Sequence, residues 1–267
     1  MQGSARSLRK TMIKQAVILA AGQGRRLWPH TQNVPKCLLT VGGKTILEHQ
    51  VENLLSQKVE RITVVIGYES DKVREVLGPK VNYIENRHFR KTSSMYSLWL
   101  ARREAQHGFL ALNGDVLFHR GILESLLSSC HADALAIDFE AVLAEEEMKV
   151  QVKGERVYAL SKTLRQADGE NVGMIKFSEN GSRILFAKIE ELLKKGLRHM
   201  MVPFAVNAIA SSYFIGGVSV KGLPWIEMDF PEDYQRAREV IYPAIMQQQD
   251  ESASLLTEYS DGFNVTN

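Results

Sequence analysis

The chain is poor in cysteine. Cys37 and Cys130 are its only two and form no CxxC pair, which argues against a disulfide framework or a structural zinc site and, with no secretory signal evident, for a reducing cytoplasm. Both thiols read as small buried side chains. No apolar run approaches the ~20 residues needed to span a bilayer, so membrane insertion is not expected. An excess of one charge is also missing: 33 basic residues meet 31 acidic ones for a formal net charge of +2. No global field therefore favours nucleic acid or an anionic surface. Internal repeats and domain-separating linkers are absent too. The 267 residues, 45% of them hydrophobic, suffice for a substantial core. We expect one domain over residues 13–246, a flexible extension or cloning remnant at 1–12, and a loosely held tail at 247–267.

What is present is concentrated in residues 14–39, KQAVILAAGQGRRLWPHTQNVPKCLL. Residues 16–20 form a short apolar run suited to a strand covered on both faces, and it stops at Gly22 and Gly24. Two glycines around one residue allow positive φ and bring bare N–H groups close to a ligand, which suits a polyphosphate. Arg25, Arg26 and Lys36 add fixed positive charge nearby. Two better-known phosphate motifs are excluded. The dinucleotide fingerprint needs a third glycine where this chain has Leu27, and a Walker loop needs Gly-Lys-Ser/Thr.

Downstream, the pattern predicts a helix capped by Thr45, strands at 61–66 and 81–85 around a short helix from Ser70, and a helix after a Ser93 or Ser94 cap. A buried strand at 109–112 follows, then a helix at 121–129 and a strand at 132–138. This alternation implies parallel pairing with right-handed crossovers. Beyond Asp138 the texture changes to a hairpin around Gly154-Glu155, a core strand at 172–177, and helices at 180–195 and 206–214. Short strands at 216–220 and 225–228 precede a last helix from Pro231 to about Met246.

Two acidic positions stand where an open sheet places chemistry. Asp115 follows the strand at 109–112 in Asn-Gly-Asp, and reads either as a turn residue or as a hard ligand for a divalent ion. In WIEMDFPED, Glu227 and Asp229 share one side of a strand, so both carboxylates can meet one ion; Asp229 alternatively reads as a helix cap. A triphosphate attacked by another anion needs such an ion to offset its charge.

LAAGQGRRL, VPKCLL, SSMYSLWLA, NGDVLF, EEEMKV, NVGMIKFS and WIEMDFPEDYQRA, in this order across residues 13–246, resemble the cytidylyltransferase branch of the sugar-nucleotidyltransferase-like superfamily. The likeness is to bacterial CTP:phosphocholine and 2-aminoethylphosphonate cytidylyltransferases. It implies an α/β, Rossmann-like three-layer sandwich with a mixed, mostly parallel sheet of nucleotide-diphospho-sugar transferase type. It implies CTP, a small anionic acceptor and Mg²⁺ as partners, with Lys36 and Arg26 as catalytic cations. Asp115 and Asp229 would then hold the metal, with Leu19, Ala20, Ala21, Gly22, Gly24, Arg25, Ser94 and Asn113 around the nucleotide. For an acceptor with an ammonium head, Asp138, Glu146 or Glu147 offers charge, while Tyr96, Trp99 and Trp225 are either π faces or core. We expect Asp138, Glu147, Tyr96 and Trp225 on the acceptor side. The chain departs from the pattern at Arg25, where many sugar enzymes carry Thr or Ser, and at Ser93-Ser94, where the branch often has Asn-Asn. A sugar-1-phosphate nucleotidyltransferase using UTP or dTTP, and a silent nucleotide-binding subunit, are the competing readings. Assembly as a homodimer is left open.

Overall fold

The computed structural model describes residues 13–249; the expected extension at 1–12 and residues 250–267 of the expected tail lie outside them. β1 (Gln15–Ala20) is covered on both faces, as its apolar run requires. A two-residue ladder, β2 (Thr40–Val41) with β3 (Lys44–Thr45), leads into α1 (Ile46–Ser56). Thr45 caps α1: its hydroxyl accepts from the Glu48 N–H, and the Glu48 carboxylate accepts from the Thr45 N–H, so both donors are satisfied.

β4 (Arg61–Ile66), α2 (Ser70–Leu77), β5 (Asn82–Glu85), α3 (Ser94–Leu100) and β6 (Phe109–Asn113) continue the alternation. Then come β7 (Val116–Phe118), α4 (Arg120–Ser128), β8 (Ala134–Asp138) and the hairpin of β9 (Lys149–Lys153) and β10 (Arg156–Ser161). β11 (Gly169–Phe177), α5 (Glu179–Lys194), α6 (Val202–Ala210), β12 (Gly216–Ser219), β13 (Trp225–Glu227) and α7 (Pro231–Arg236) complete the order.

The main sheet has nine strands in the order β5-β4-β1-β6-β11-β8-β12-β10-β9, and β9 also meets the start of β11. It is mixed. Neighbours from β5 to β6 are parallel, β11 runs against both β6 and β8, and β10 runs against both β12 and β9. All strands but β10 and β11 therefore share one direction. Alternation along β1 sorts the layers: Ala16, Ile18 and Ala20 pack with α1, α2 and α4, whereas Val17 packs with α3, α5 and α6 on the other face.

A smaller third core cluster matters more for function. Leu27, Leu39, Leu117, Ile226 and Met228 meet Ala237, Ile241 and Ile245 of the last helix. This cluster clamps the loop after β1 and the Lys36 segment against β7 and β13, the strands that flank the acidic residues.

Several elements differ from the pattern. The helix expected at 206–214 begins earlier, at Val202, because Pro203 fits its first turn, and it stops at Ala210. The last helix is interrupted by a π turn at Ala237–Ile241 and continues to residue 249. Ser93 occupies the cap position of α3 without a side-chain cap bond; the Ser94 hydroxyl instead accepts from the Val202 N–H at 3.0 Å. Cys37 is buried as expected, but Cys130 is exposed because it lies in the turn after α4. Among the described residues no helix is long and apolar enough to cross a membrane.

Gln50 links this scaffold to the turn carrying Asp115. Its Nε2 donates to the Asn113 carbonyl at 2.8 Å and the Val116 carbonyl at 2.7 Å from a fully buried position on α1. Gln50→Ala would leave both carbonyls unpaired. We expect a loss of about 2–4 kcal/mol in denaturant unfolding, and a smaller effect of Gln57→Ala at the exposed end of the same helix.

Candidate active site

The site lies at the C-terminal ends of β1, β5 and β6, where an open α/β sheet leaves its crevice. β1 and β6 are in register at Leu19 and Asn113, so the glycine loop and the Asn113-Gly114-Asp115 turn emerge side by side. Gly24 has φ +63, and a Cβ there would fall 2.9 Å from Lys36 Cβ; a bare glycine is what lets the lysine stem lie against the loop. The buried Thr31 hydroxyl pins that loop by donating to the Gly24 carbonyl at 2.6 Å. β7 and β13 pair antiparallel, and the Met228 N–H donates to the Asp115 carbonyl at 3.0 Å. That pairing brings Asp229, 114 positions downstream of Asp115 in sequence, to its side.

Lys36 closes the arrangement. Its ammonium lies 2.5 Å from Asp115 Oδ2 and 2.7 Å from Asp229 Oδ1. Arg26 donates to Asp229 Oδ2 at 2.6 Å and to Glu146 Oε2 at 3.3 Å, its guanidinium 4.8 Å from the Phe230 ring centre. Asp229 thus takes two cations instead of capping a helix; the N–H groups of Asp229 and Phe230 are bound by Asp233. Burial works against the Lys36 charge, but Asp115, then Asp229 and Glu227, outweigh it and hold its pKa above the ordinary lysine value. Asp229 answers in the opposite direction: burial opposes ionisation, and Lys36 and Arg26 hold its pKa below the usual range.

Glu227 makes a third carboxylate. One oxygen from each of Asp115, Glu227 and Asp229 falls within 4.8 Å of the others. Burial, followed by the Asp115 and Asp229 charges, pushes Glu227 up to about 8, and Asp115 Oδ1 is buried without a hydrogen-bond partner among the described residues. Three hard oxygen donors within reach of one point, one of them orphaned, fit a hard divalent cation.

These groups border a cleft of about 470 Å³. Leu19, Ala20, Ala21, Gly22, Gly24, Arg25, Arg26, Lys36, Ser94, Asn113, Asp115, Glu147 and Asp229 all line it. Three residues expected on the acceptor side do not. Trp225 Nε1 donates to Asp138 Oδ2 at 2.8 Å, so those two satisfy each other. Tyr96 stacks on Trp99 with ring centres 5.7 Å apart, because α3 buries Met95, Ser97 and Leu98 and turns Tyr96 aside.

The sequence reading missed Asn86, Lys162, Asn171 and Met201, which also line the cleft. Asn86 was within reach, since it follows a parallel strand as Asp115 does. The others arrive through the hairpin, β11 and the start of α6, whose positions depend on contacts distant in sequence. Glu170 went unnoticed as well: burial, then its hydrogen bond with Glu147, pushes it up to about 9.

Two outcomes follow from these charges. Lys36→Met would leave Asp115 without its counter-ion and Asp229 with Arg26 alone, costing about 3–5 kcal/mol in unfolding free energy; millimolar Mn²⁺ should raise the melting temperature of this variant more than that of the wild type. Glu170 has a folded pKa above its ordinary value of 4.5, so the stability it contributes is complete below about pH 4.5 and is lost as pH rises through 9. Glu170→Gln should flatten the fall in melting temperature between pH 6 and 9.

Residues 16–202 match the MobA-like NTP transferase domain. The chain is 29% identical over 236 residues to the "Bifunctional IPC transferase and DIPP synthase" of Aquifex aeolicus, covering 86% of this chain but only 52% of that protein. It is 35% identical over 127 residues to the "CMP-5'-(3-aminopropyl)phosphonate synthase" of Streptomyces rubellomurinus, covering 46% of this chain and 20% of that one. The chain thus spans about half the length of the first of these relatives and a fifth of the second. Among solved structures, the inositol-1-phosphate CTP transferase from T. maritima superposes with a TM-score of 0.73 at 21% identity, over 87% of this chain and 99% of that one. The nine-stranded mixed sheet is thus that of the nucleotide-diphospho-sugar transferase fold, and the chain belongs to the MobA-like NTP transferase domain family of nucleotidyltransferases.

Proposed function

We propose that the protein is a Mg²⁺-dependent cytidylyltransferase that joins CTP to a small phosphorylated or phosphonylated alcohol, of the 2-aminoethylphosphonate or phosphocholine type, and releases pyrophosphate. The observation that carries this reading is the meeting of Lys36 and Arg26 with Asp115, Glu227 and Asp229 at the mouth of a glycine loop. The likeness to the CMP-5'-(3-aminopropyl)phosphonate synthase of Streptomyces rubellomurinus and to the inositol-1-phosphate CTP transferase from T. maritima supports the acceptor class and the cytidine nucleotide.

In this reading an acceptor oxygen attacks the α-phosphorus of CTP, a new P–O bond forms, and the bond to the β-phosphate oxygen breaks with pyrophosphate leaving. The acceptor is already an anion, so no protein base or nucleophile is required. The glycine loop presents N–H groups to the phosphates, while Lys36 and Arg26 offset the charge that builds on them. Asp115 and Asp229, with Glu227, would hold Mg²⁺, which when bound neutralises phosphate oxygens. Glu146 and Glu147 also line the cleft, and their carboxylates suit a cationic or hydroxylated acceptor head.

Pyrophosphate release over a panel of CTP, UTP and dTTP against 2-aminoethylphosphonate, phosphocholine, inositol phosphate and hexose 1-phosphates tests the proposal. We expect Mg²⁺-dependent turnover with CTP and a phosphorylated or phosphonylated alcohol. Preference for a hexose 1-phosphate with UTP or dTTP would replace this reading, and tight nucleotide binding without any turnover would indicate a silent subunit. Lys36→Ala and Asp115→Ala should each lower kcat about 100-fold or more while the folded state is retained.

A further inference from the structure

The wall of the cleft around α3 carries a donor whose direction is fixed by its neighbours. Asn86 is buried at the end of β5 and lines the cleft. Its Oδ1 accepts from the His88 N–H at 3.0 Å. A backbone N–H can only donate, so this contact settles which way the amide faces. Asn86 Nδ2 must therefore donate, and it does so to Thr92 Oγ1 and Ser97 Oγ, each at 3.0 Å.

The consequence differs for the two hydroxyls. Thr92 Oγ1 accepts from Asn86 and donates to the His88 carbonyl at 3.0 Å. Ser97 Oγ accepts from Asn86, and among the described residues no group accepts its proton. Ser97 is only 4% exposed and borders the cleft. Its oxygen keeps one lone pair, and its proton has the cleft as the place left for an acceptor.

The surroundings suit a flat neutral ring. Gly67 has no side chain, and a Cβ there would come within 2.9 Å of Phe89 Cβ and 2.8 Å of the Ala21 carbonyl. Its absence lets Phe89 close beside Ala21, and both line the cleft. Glu146, Glu147 and Lys162 also line the cleft, with Glu146 bonded to Arg26 and Lys162, and such charged surroundings suit a heterocycle less well.

We propose that Ser97, held as a donor by the Asn86 amide, is a specificity-determining residue that reads N3 of the nucleobase. The inference deepens the cytidylyltransferase reading and rests on it. N3 of cytosine is an acceptor and matches the Ser97 proton, whereas N3 of uracil and thymine bears a hydrogen, so it can reach only the remaining Ser97 lone pair and leaves the serine proton without its acceptor. A site with an obligatory buried donor rejects the wrong base because one partner is left unpaired. Asn86 acts through Ser97 and is a positioning residue.

The test is a competition assay with equal CTP and UTP, Mg²⁺ and the acceptor that gives most product, on wild type, Ser97→Ala and Asn86→Asp. Melting curves identify which variants are folded. We expect the wild-type CTP:UTP ratio of kcat/KM to fall at least tenfold in Ser97→Ala, mainly through CTP. In Asn86→Asp the new carboxylate keeps the His88 contact but accepts the Ser97 proton, so the serine oxygen faces the cleft as an acceptor and preference should move toward UTP. A merely structural role would lower both nucleotides together. A ratio within twofold of wild type in either folded variant would overturn the assignment. Wild type that turns over UTP but no CTP would instead overturn the cytidylyltransferase reading on which it stands.

Discussion

The contact of Lys36 with Asp115 and Asp229 is the constraint on which the site depends. Three acidic groups within 4.8 Å of one another would repel in a partly buried setting. One ammonium at 2.5 and 2.7 Å from two of them offsets that repulsion. The compensation is incomplete. Glu227 is driven toward its protonated form, and Asp115 Oδ1 has no hydrogen-bond partner among the described residues. The site is thus arranged for more positive charge than Lys36 and Arg26 supply.

Holding those groups together takes most of the fold. Parallel pairing of β1 with β6 sets the glycine loop beside Asp115, and the β7–β13 pair delivers Glu227 and Asp229. The third apolar cluster then locks Leu27, Leu39, Leu117, Ile226 and Met228 against the last helix. Each of these lies within a few residues of a charged group of the site. Apolar burial there acts on the geometry of the charged groups by fixing where the short segments between those residues can go.

Much of this was legible in the chain. The apolar run of β1, the Thr45 cap and the positive φ at Gly24 are local signals that the structure follows, whereas Gly22 does not take a positive φ. Asp229 carried two local readings, cap or ligand. Its bonds to Lys36 and Arg26, with Asp233 binding the nearby N–H groups, decide which contacts it makes. What the sequence hid was relational. Trp225 and Asp138 look like acceptor-site residues until they are found bonded to each other across 87 positions. Tyr96 looks like a π face until the helix phase set by Met95 and Leu98 turns it onto Trp99. Lys162 and Met201 reach the cleft through a hairpin and a proline-started helix whose placement no short window encodes.

Cations and carboxylates gather at the glycine loop, and Ser94 and Ser97 of α3 also line the cleft. The central claim is that the carboxylate cluster takes a divalent ion and that Lys36 belongs to the phosphates once the ion arrives. The most direct measurement is anomalous scattering from crystals grown with Mn²⁺ and CTP. The account predicts one strong manganese peak touching Asp115 and Asp229, with the Lys36 ammonium moved onto a phosphate oxygen. Manganese bound elsewhere, with Lys36 still between the two aspartates, would contradict it.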